Sequence, residues 1–285
     1  MAIEQTDTTV TISLDSDPST SVTVLLHGAN VLSWKVGGVE KLWLSEKAIL
    51  DSSKAVRGGI PLVFPVFGKA TEGPTAALPQ HGFARLSPWE FLGKTESSPL
   101  TVQFGLGPES VPAALASAWP YDFTLVYTIA LSETSLKTSM SVENTSTTAW
   151  DFQVLFHTYF RIPDVSTVAV TGLADTVVKD KVSKSEYTAA AADVTIAAEV
   201  DRVYENVAAP VTITSAGKPF FALERTNVDD VVVWNPWTKA STNMGDFAPA
   251  EGYQTMICVE AGSVSKWNAL QPGSIWEASQ TMTAL

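Results

Sequence analysis

The two segments FTLVYTIAL (residues 123–131) and LKTSMSVEN (residues 136–144) decide the fold class of this chain. The first is rich in β-branched and aromatic residues, and the second alternates apolar with polar positions. Both patterns are typical of β-strands. Runs of the same kind lie at residues 9–14, 21–28, 101–106, 151–162, 228–237 and 253–262. Turn residues separate them, as in the VGG and APAEG segments, so the pattern predicts many short strands.

Evidence for helices is thin. The segment ESVPAALASAW (residues 109–119) predicts one short helix with Pro112 near its first turn. Strands do not alternate with long helices, which argues against a parallel, doubly wound sheet. No linker or fixed-period repeat divides the chain. We therefore predict an all-β protein, with one antiparallel domain over residues 1–285 and few short helices.

The acidic net charge of the chain argues against several classes of binding partner. The 285 residues carry 30 acidic and 18 basic side chains, a net charge of −12. This balance disfavours nucleic acid and anionic membranes, which require a basic face. The single cysteine, Cys258, excludes an intramolecular disulfide and a four-thiolate zinc site. No signal peptide or long apolar span stands out, so we expect a cytoplasmic monomer that binds no membrane.

The run DFQVLFHTYFRI (residues 151–162) contains His157, one of only three histidines. On a strand, its apolar residues share one face, and His157, Tyr159 and Arg161 share the other. Such a face suits a polar concavity in which histidine acts as a general acid near neutral pH. The alternative is a strand whose second face meets solvent, and residue spacing alone does not decide between the two.

Glu260 closes the apolar run YQTMICVEAG (residues 253–262). Burial at the end of such a strand would raise the pKa of its carboxyl group, as a general base requires. A carboxylate at the rim of a sheet is the simpler interpretation, and the run by itself favours it.

Two of the five arginines lie beside glycines. Arg57 begins RGGIPLVFPVFG, and Gln80, His81 and Arg85 lie within PQHGFAR. A guanidinium group offers paired donors that suit a phosphate. The two prolines of the first segment predict an irregular edge or loop. By composition alone, structural loops whose arginines cap carbonyl groups remain the simpler interpretation.

No familiar metal, nucleotide or serine-nucleophile motif occurs, and we expect no metal and no cofactor. Trp234 and Trp237 in WNPW are candidates for stacking on a sugar ring. In an all-β chain, tryptophan more often packs in the core.

Taken together, seven segments resemble the aldose 1-epimerase (mutarotase) superfamily, and within it the glucose-6-phosphate 1-epimerase branch. They are RGGIPLVFPVFG, PQHGFAR with the following PWEF, WPYDF, LFHTYF, EVDRVY, VVVWNPW and MICVEAG. They occur in the family's order and cover most of the chain. The resemblance implies a galactose-mutarotase-like β-supersandwich of antiparallel strands. It also implies an isomerase that interconverts the α and β anomers of glucose 6-phosphate and related hexose 6-phosphates through acid–base ring opening and reclosure.

The resemblance further implies roles for single residues. His157 falls on the family's general acid and Glu260 on its general base. The remaining matches are to substrate-binding positions: Arg57, Gln80, His81, Arg85 and Asp201. Among these, the two arginines match the 6-phosphate site. Ala261 stands where the family has proline.

Three other functions remain open. One is a mutarotase for free aldohexoses, which relative rates on phosphorylated and free sugar would distinguish. Another is a non-catalytic protein that binds a sugar phosphate, since a fold does not determine function. A scaffold that uses the same surface for a partner protein is also left open.

Overall fold

The structure, a computed structural model, describes residues 2–285, which fold almost entirely into antiparallel strands. In chain order the strands are β1 (Ala2–Gln5), β2 (Thr9–Ser13), β3 (Ser21–Leu25), β4 (Asn30–Val36), β5 (Val39–Glu40), β6 (Leu62–Val63), β7 (Glu90–Ser97), β8 (Leu100–Leu106), β9 (Phe123–Leu131), β10 (Ser135–Asn144), β11 (Trp150–Phe156), β12 (Tyr159–Arg161), β13 (Val168–Thr171), β14 (Val177–Asp180), β15 (Ser185–Thr188), β16 (Val194–Thr195), β17 (Val200–Glu205), β18 (Val211–Ser215), β19 (Lys218–Thr226), β20 (Asp230–Asn235), β21 (Met256–Leu270) and β22 (Ile275–Ala284). The helices are α1 (Ala113–Ala118) and α2 (Trp237–Asn243). The prediction of an all-β class with few short helices is confirmed.

The strands form three sheets. The first is a five-stranded meander with the order β1-β2-β3-β4-β5. A nine-stranded sheet has the order β16-β13-β18-β19-β22-β10-β9-β8-β7. An eight-stranded sheet has the order β15-β14-β17-β20-β21-β11-β6, and its eighth strand, β12, pairs with β21.

The segments that decided the fold class form the centre of the nine-stranded sheet. In β9, buried and half-buried residues alternate along the whole strand, and β10 pairs with it from Leu136 opposite Leu131 to Asn144 opposite Phe123. The alternation puts one apolar face against the core, and each side chain buried there contributes about 1.5–3 kcal/mol.

The main core lies between the nine-stranded and eight-stranded sheets. Tyr127 of the nine-stranded sheet stacks on Phe156 of the eight-stranded sheet, with ring centroids 6.3 Å apart. The Gln280 amide of β22 donates a hydrogen bond to the hydroxyl of Thr158, which joins the same two sheets. On β21, Val259 and Ala261 belong to this core. Since side chains alternate along a strand, Glu260 lies on the opposite face of the sheet.

Two predicted strands differ in their limits from those observed. The run at 151–162 is divided into β11 and β12, because the Thr158 N–H turns back to the Phe156 carbonyl and interrupts the ladder. The run at 253–262 does not begin at 253, because residues 250–255 form a 3₁₀-helix. The strand then continues to Leu270, since β20 pairs with it as far as Gly262 and β11 pairs with it as far as Leu270. Glu260 is therefore inside a central strand, and the prediction that it ends a strand is wrong.

Among residues 2–285, no helix combines the length and apolar character needed to cross a membrane.

Candidate active site

A cavity of about 330 Å³ opens on the face of the eight-stranded sheet that points away from the main core. Its lining residues are Arg57, Phe67, Gln80, His81, Arg85, His157, Lys181, Asp201, Val232, Trp234, Met244 and Glu260. All seven residues that the sequence singled out are among them. The volume falls in the range of small-molecule sites.

Strand register explains why the two candidate acid–base residues meet. Phe156 lies opposite Ala261 and Tyr159 lies opposite Cys258, so the same register places His157 opposite Glu260. His157 Nδ1 is 3.3 Å from Glu260 Oε1. The contact does not have hydrogen-bond geometry, and within the described residues neither His157 Nδ1 nor Glu260 Oε2 has a hydrogen-bond partner. Two buried polar groups without partners are available to a ligand.

Burial favours the neutral form of both members of this pair. The pKa of Glu260 is raised well above its usual range by burial and by the negative charge of Asp201, with Lys181 and Arg85 opposing the shift. The pKa of His157 is lowered well below its usual range by burial and by the positive charges of Arg85 and Arg57. A carboxylic acid beside a neutral imidazole holds one exchangeable proton between the two residues.

Arg57 is held in place by a carboxylate outside the set of cavity-lining residues. Its Nε and Nη2 donate to the two carboxylate oxygens of Asp246, at 3.3 and 3.4 Å, and its Nη1 donates to the Tyr159 hydroxyl. Tyr159 and Asp246 raise the pKa of Arg57, so the guanidinium stays charged. With Asp246 on the Nε edge, the Nη1–Nη2 edge is the one left for a ligand.

Arg85 differs from Arg57 because, among the described residues, no carboxylate lies at ion-pair distance from it. Its Nη2 donates to the Gln80 carbonyl at 2.7 Å, while its buried Nε has no hydrogen-bond partner in the part of the chain described. The interpretation that these arginines cap carbonyl groups is thus right for one of the donors of Arg85. Burial lowers the pKa of Arg85 to about 10, which still leaves it charged at neutral pH. A buried cation with a free donor is an anion-binding group.

A tight turn aims His81 into the cavity. The Gly82 N–H donates to the Pro79 carbonyl, and His81 has a left-handed φ of 67°. The Gly68 N–H donates to His81 Nδ1, which places the ring proton on Nε2. Burial and the nearby Arg85 lower the pKa of His81, which favours a neutral ring, and its Nε2 lies 3.2 Å from the Gln80 side-chain amide nitrogen.

Two charged side chains at the cavity, Lys181 and Asp246, were not found from the sequence. Lys181 lies 3.5 Å from Asp201 and lines the cavity, although it occurs in no motif that stood out. Asp246 orients Arg57 across 189 positions of sequence, and nothing local marks it. Trp234 lines the cavity and packs edge-on against His157, while Trp237 packs against Tyr253. Of the two tryptophans, Trp234 is the one near the reacting groups.

The predicted polar face of residues 151–162 is only partly correct. Tyr159 stacks on His157 with centroids 4.9 Å apart, as a shared face requires. Arg161 does not line the cavity, because its Nε donates to the Leu42 carbonyl at the edge of β12.

One cluster of metal-ligand atoms occurs beside the acid–base pair. Ligand atoms of His157, Cys258 and Glu260 lie within 4.8 Å of one another. Burial and the proximity of Glu260 raise the pKa of the Cys258 thiol well above its usual range. A protonated thiol is a poor metal ligand, so the cluster does not favour a metal ion.

Comparison with known proteins points to one family. A family profile described as aldose 1-epimerase matches residues 10–283. A protein of Cenchrus ciliaris named "Putative glucose-6-phosphate 1-epimerase" is 36% identical over 276 residues, which cover 92% of this chain and 80% of that protein. A protein of the same name from Escherichia coli K12 is 33% identical, with 87% and 82% covered. The crystal structure of a "putative mutarotase (YeaD)" from Salmonella typhimurium superposes with a TM-score of 0.85 at 30% identity, covering 99% of this chain and 92% of the other.

Proposed function

The chain belongs to the aldose 1-epimerase family, and from this premise we propose that it interconverts the α and β anomers of hexose 6-phosphates, glucose 6-phosphate first among them. The resemblance identified from the sequence is confirmed. The proposal rests on one observation above all: His157 and Glu260 face each other in a cavity that also contains the charged groups of Arg57 and Arg85. A proton-transfer pair and a phosphate site then share one small cavity.

The reaction needs proton transfer to and from two oxygens bonded to the same carbon. Glu260, as base, takes the proton of the anomeric hydroxyl, and His157, as acid, gives a proton to the ring oxygen. The C1–O5 bond breaks, the C1=O1 carbonyl forms, and the sugar opens to its aldehyde. Rotation about C1–C2 turns the other carbonyl face toward O5. Reclosure with the two roles reversed yields the other anomer, and each proton transfer contributes about 10²–10⁴ in rate.

Binding of the phosphate also prepares the acid for this step. The positive charges of Arg57 and Arg85 disfavour a proton on His157. A phosphate dianion held by both guanidinium groups offsets that positive potential. A proton shared by the pair is then held more readily on His157, whose Nδ1 lies 3.3 Å from Glu260 Oε1. This gives the ionised base and protonated acid with which ring opening begins.

The remaining cavity groups suit the sugar hydroxyls. The Asp201 carboxylate can only accept hydrogen bonds, whereas Gln80 both donates and accepts, and His81 offers the Nε2–H. Burial raises the pKa of Asp201, and Lys181 opposes that shift. These groups lie beside the acid–base pair and fix the orientation of the ring.

Two other functions remain as alternatives. A mutarotase for free hexoses has no use for the uncompensated charge of Arg85, and a non-catalytic sugar-phosphate protein has no use for a buried acid–base pair. Exchange spectroscopy on the two anomers compares glucose 6-phosphate with free glucose, each against its spontaneous rate. Faster exchange of the phosphorylated sugar supports the proposal. Preference for free glucose contradicts the phosphate assignment, and binding without exchange contradicts the enzyme.

The monomeric state and the cytoplasmic location remain predictions from the sequence, as does the extent of the single domain.

A further inference from the structure

The backbone of Lys181 is held in place beside the acid–base pair, although its side chain is partly exposed. It follows β14, and its backbone N–H donates to the carbonyl of Asp201 on the neighbouring strand. The carboxylate of Asp180 holds the turn by accepting from the N–H groups of Val182 and Ser183 at 3.0 Å and from Arg202 Nε at 2.8 Å. Asp180 and Arg202 pair on one face of the β14–β17 ladder. Since faces alternate, Lys181 and Asp201 pair on the other.

The side chain of Lys181 reaches across the cavity. Its Nζ is 3.5 Å from Asp201 Oδ1 and 3.9 Å from the centroid of the Phe67 ring. Phe67 follows β6, and four strands separate β6 from β14 in the order of the sheet. The sheet therefore curves until its two ends approach each other, and the ammonium group of Lys181 joins them. A cation over an aromatic face gains about 0.5–2 kcal/mol, which favours this one placement.

The charged groups around Glu260 show what effect the positive charge of Lys181 has on the ionisation of Glu260. The titratable and charged groups that face Glu260 are Asp201, Lys181, Arg85, His157, Cys258 and Tyr159. During the reaction a phosphate binds Arg85, and its negative charge largely offsets the positive charge by which Arg85 lowers the pKa of Glu260. Asp201 and the phosphate are both negative, and both favour the protonated form of a buried carboxyl group. Lys181 is the cation that remains for Glu260.

We propose that Lys181 is a positioning residue of the active site: its ammonium group holds Asp201 toward the sugar and keeps the Glu260 carboxylate in the ionised form that accepts a proton. The inference rests on the proposed function for its catalytic readout. Lys181 then influences the reaction indirectly, through Asp201 and Glu260, and does not need to contact the phosphate.

The test compares the pH dependence of turnover in three variants. Lys181→Met removes the charge, Lys181→Arg keeps it, and Lys179→Met removes an equal charge from the same strand. Lys179 pairs with Glu205 and does not line the cavity. Anomer exchange of glucose 6-phosphate and of free glucose is measured across the pH range. The phosphate's own ionisation, near pH ~6, is common to all variants, so differences between them report the enzyme.

Without the ammonium group, the pKa of Glu260 rises. We expect Lys181→Met to move the acidic limb of kcat, which reports the enzyme with substrate bound, to higher pH by about 1 unit, with activity recovering toward the wild-type level above that limb. Lys181→Arg should restore the limb, and Lys179→Met should leave it in place. An equal loss at every pH overturns the inference, as does a higher KM for glucose 6-phosphate alone with an unmoved limb, since Lys181 would then be a phosphate ligand.

A direct titration separates this inference from the proposed function. The ¹³C carboxyl signal of Glu260, identified by its loss in Glu260→Gln, is followed with pH in the wild type and in Lys181→Met. A higher midpoint in the variant supports the inference even if the wild type accelerates neither sugar, in which case it is the proposed function that fails. An unchanged midpoint overturns the inference whatever the turnover.

Discussion

Replacing Arg85 by methionine should separate phosphate recognition from the chemical step. Methionine keeps an apolar stem of similar length and removes the guanidinium group. Arg85 meets no carboxylate at ion-pair distance among the described residues, and its Nε lacks a partner. The substrate phosphate is then the anion for which this cation is free.

The expected loss follows from the donors of Arg85. One N–H of Nη2 is used by the Gln80 carbonyl, which leaves enough donors for a paired contact with a phosphate. Two charge-assisted hydrogen bonds at about 1.5–3 kcal/mol each give about 3–6 kcal/mol. At ~1.4 kcal/mol per factor of ten, kcat/KM for glucose 6-phosphate should fall by about 10²–10⁴. Turnover of free glucose, which carries no phosphate, should fall by much less, and chiefly through a changed pH dependence, because Arg85 also acts on the pKa values of His157 and Glu260.

The assay is anomer exchange measured on both sugars with the same protein sample. Activity on free glucose then reports whether the variant is folded. Arg85→Lys serves as a second variant with an intermediate loss, since lysine keeps the charge but lacks the planar fork. Arg161→Met is the matched control, because Arg161 bonds the Leu42 carbonyl outside the cavity.

Equal losses on both sugars would refute the phosphate assignment, since Arg85 would then act on the reacting centre or on the fold. Unchanged turnover of glucose 6-phosphate would refute it as well.

Three further predictions concern protonation and packing. Binding of a non-cyclising hexitol 6-phosphate should raise the pKa of His157, because the phosphate dianion offsets the neighbouring guanidinium charges. NMR titration of the three histidine rings measures this pKa, and an unchanged midpoint for His157 contradicts the proposed proton-transfer step. Glu260→Gln should make the protein more stable at pH ~8 by about 1–3 kcal/mol. Folding raises the pKa of the Glu260 carboxyl group, so this group favours the folded state below its unfolded pKa and loses that contribution as the pH rises toward its folded pKa. The stability gained by the substitution should therefore shrink near pH ~4, which denaturant unfolding at several pH values measures. Gly82→Ala should cost more than about 3 kcal/mol of unfolding free energy, because its Cβ would lie 2.1 Å from the Phe64 carbonyl oxygen at a φ of +69°. Gly93→Ala, which is also left-handed but meets nothing within 4 Å, should cost only about 1–2 kcal/mol, and equal costs for the two would contradict the packing argument.

The strands were predictable because their signal is local. Alternation along β9 and β10 follows directly from one buried face, and the observed limits agree with the quoted segments within a residue. The limits of β21 were not predictable in the same way. Pairing with β11 keeps that strand extended as far as Leu270, and pairing partners cannot be read from a single run.

The candidate site shows the same division. His157, Glu260 and the two arginines lie in segments that resemble the family's, and that resemblance marked them; their local patterns alone left simpler interpretations open. Lys181 reaches the site through the curvature of the sheet, a property of many strands together. A lysine or an aspartate at such a distance has no local signature, and only the fold assigns it a partner.

The most direct test of the acid–base assignment is anomer exchange of glucose 6-phosphate by Glu260→Gln, combined with calorimetric binding of a hexitol 6-phosphate. Glutamine keeps the shape of the side chain and cannot take the proton of the anomeric hydroxyl. We expect the catalysed rate to fall by about 10²–10⁴, toward the spontaneous rate, while the hexitol phosphate still binds. Exchange at the wild-type rate would contradict the assignment of Glu260 as the base.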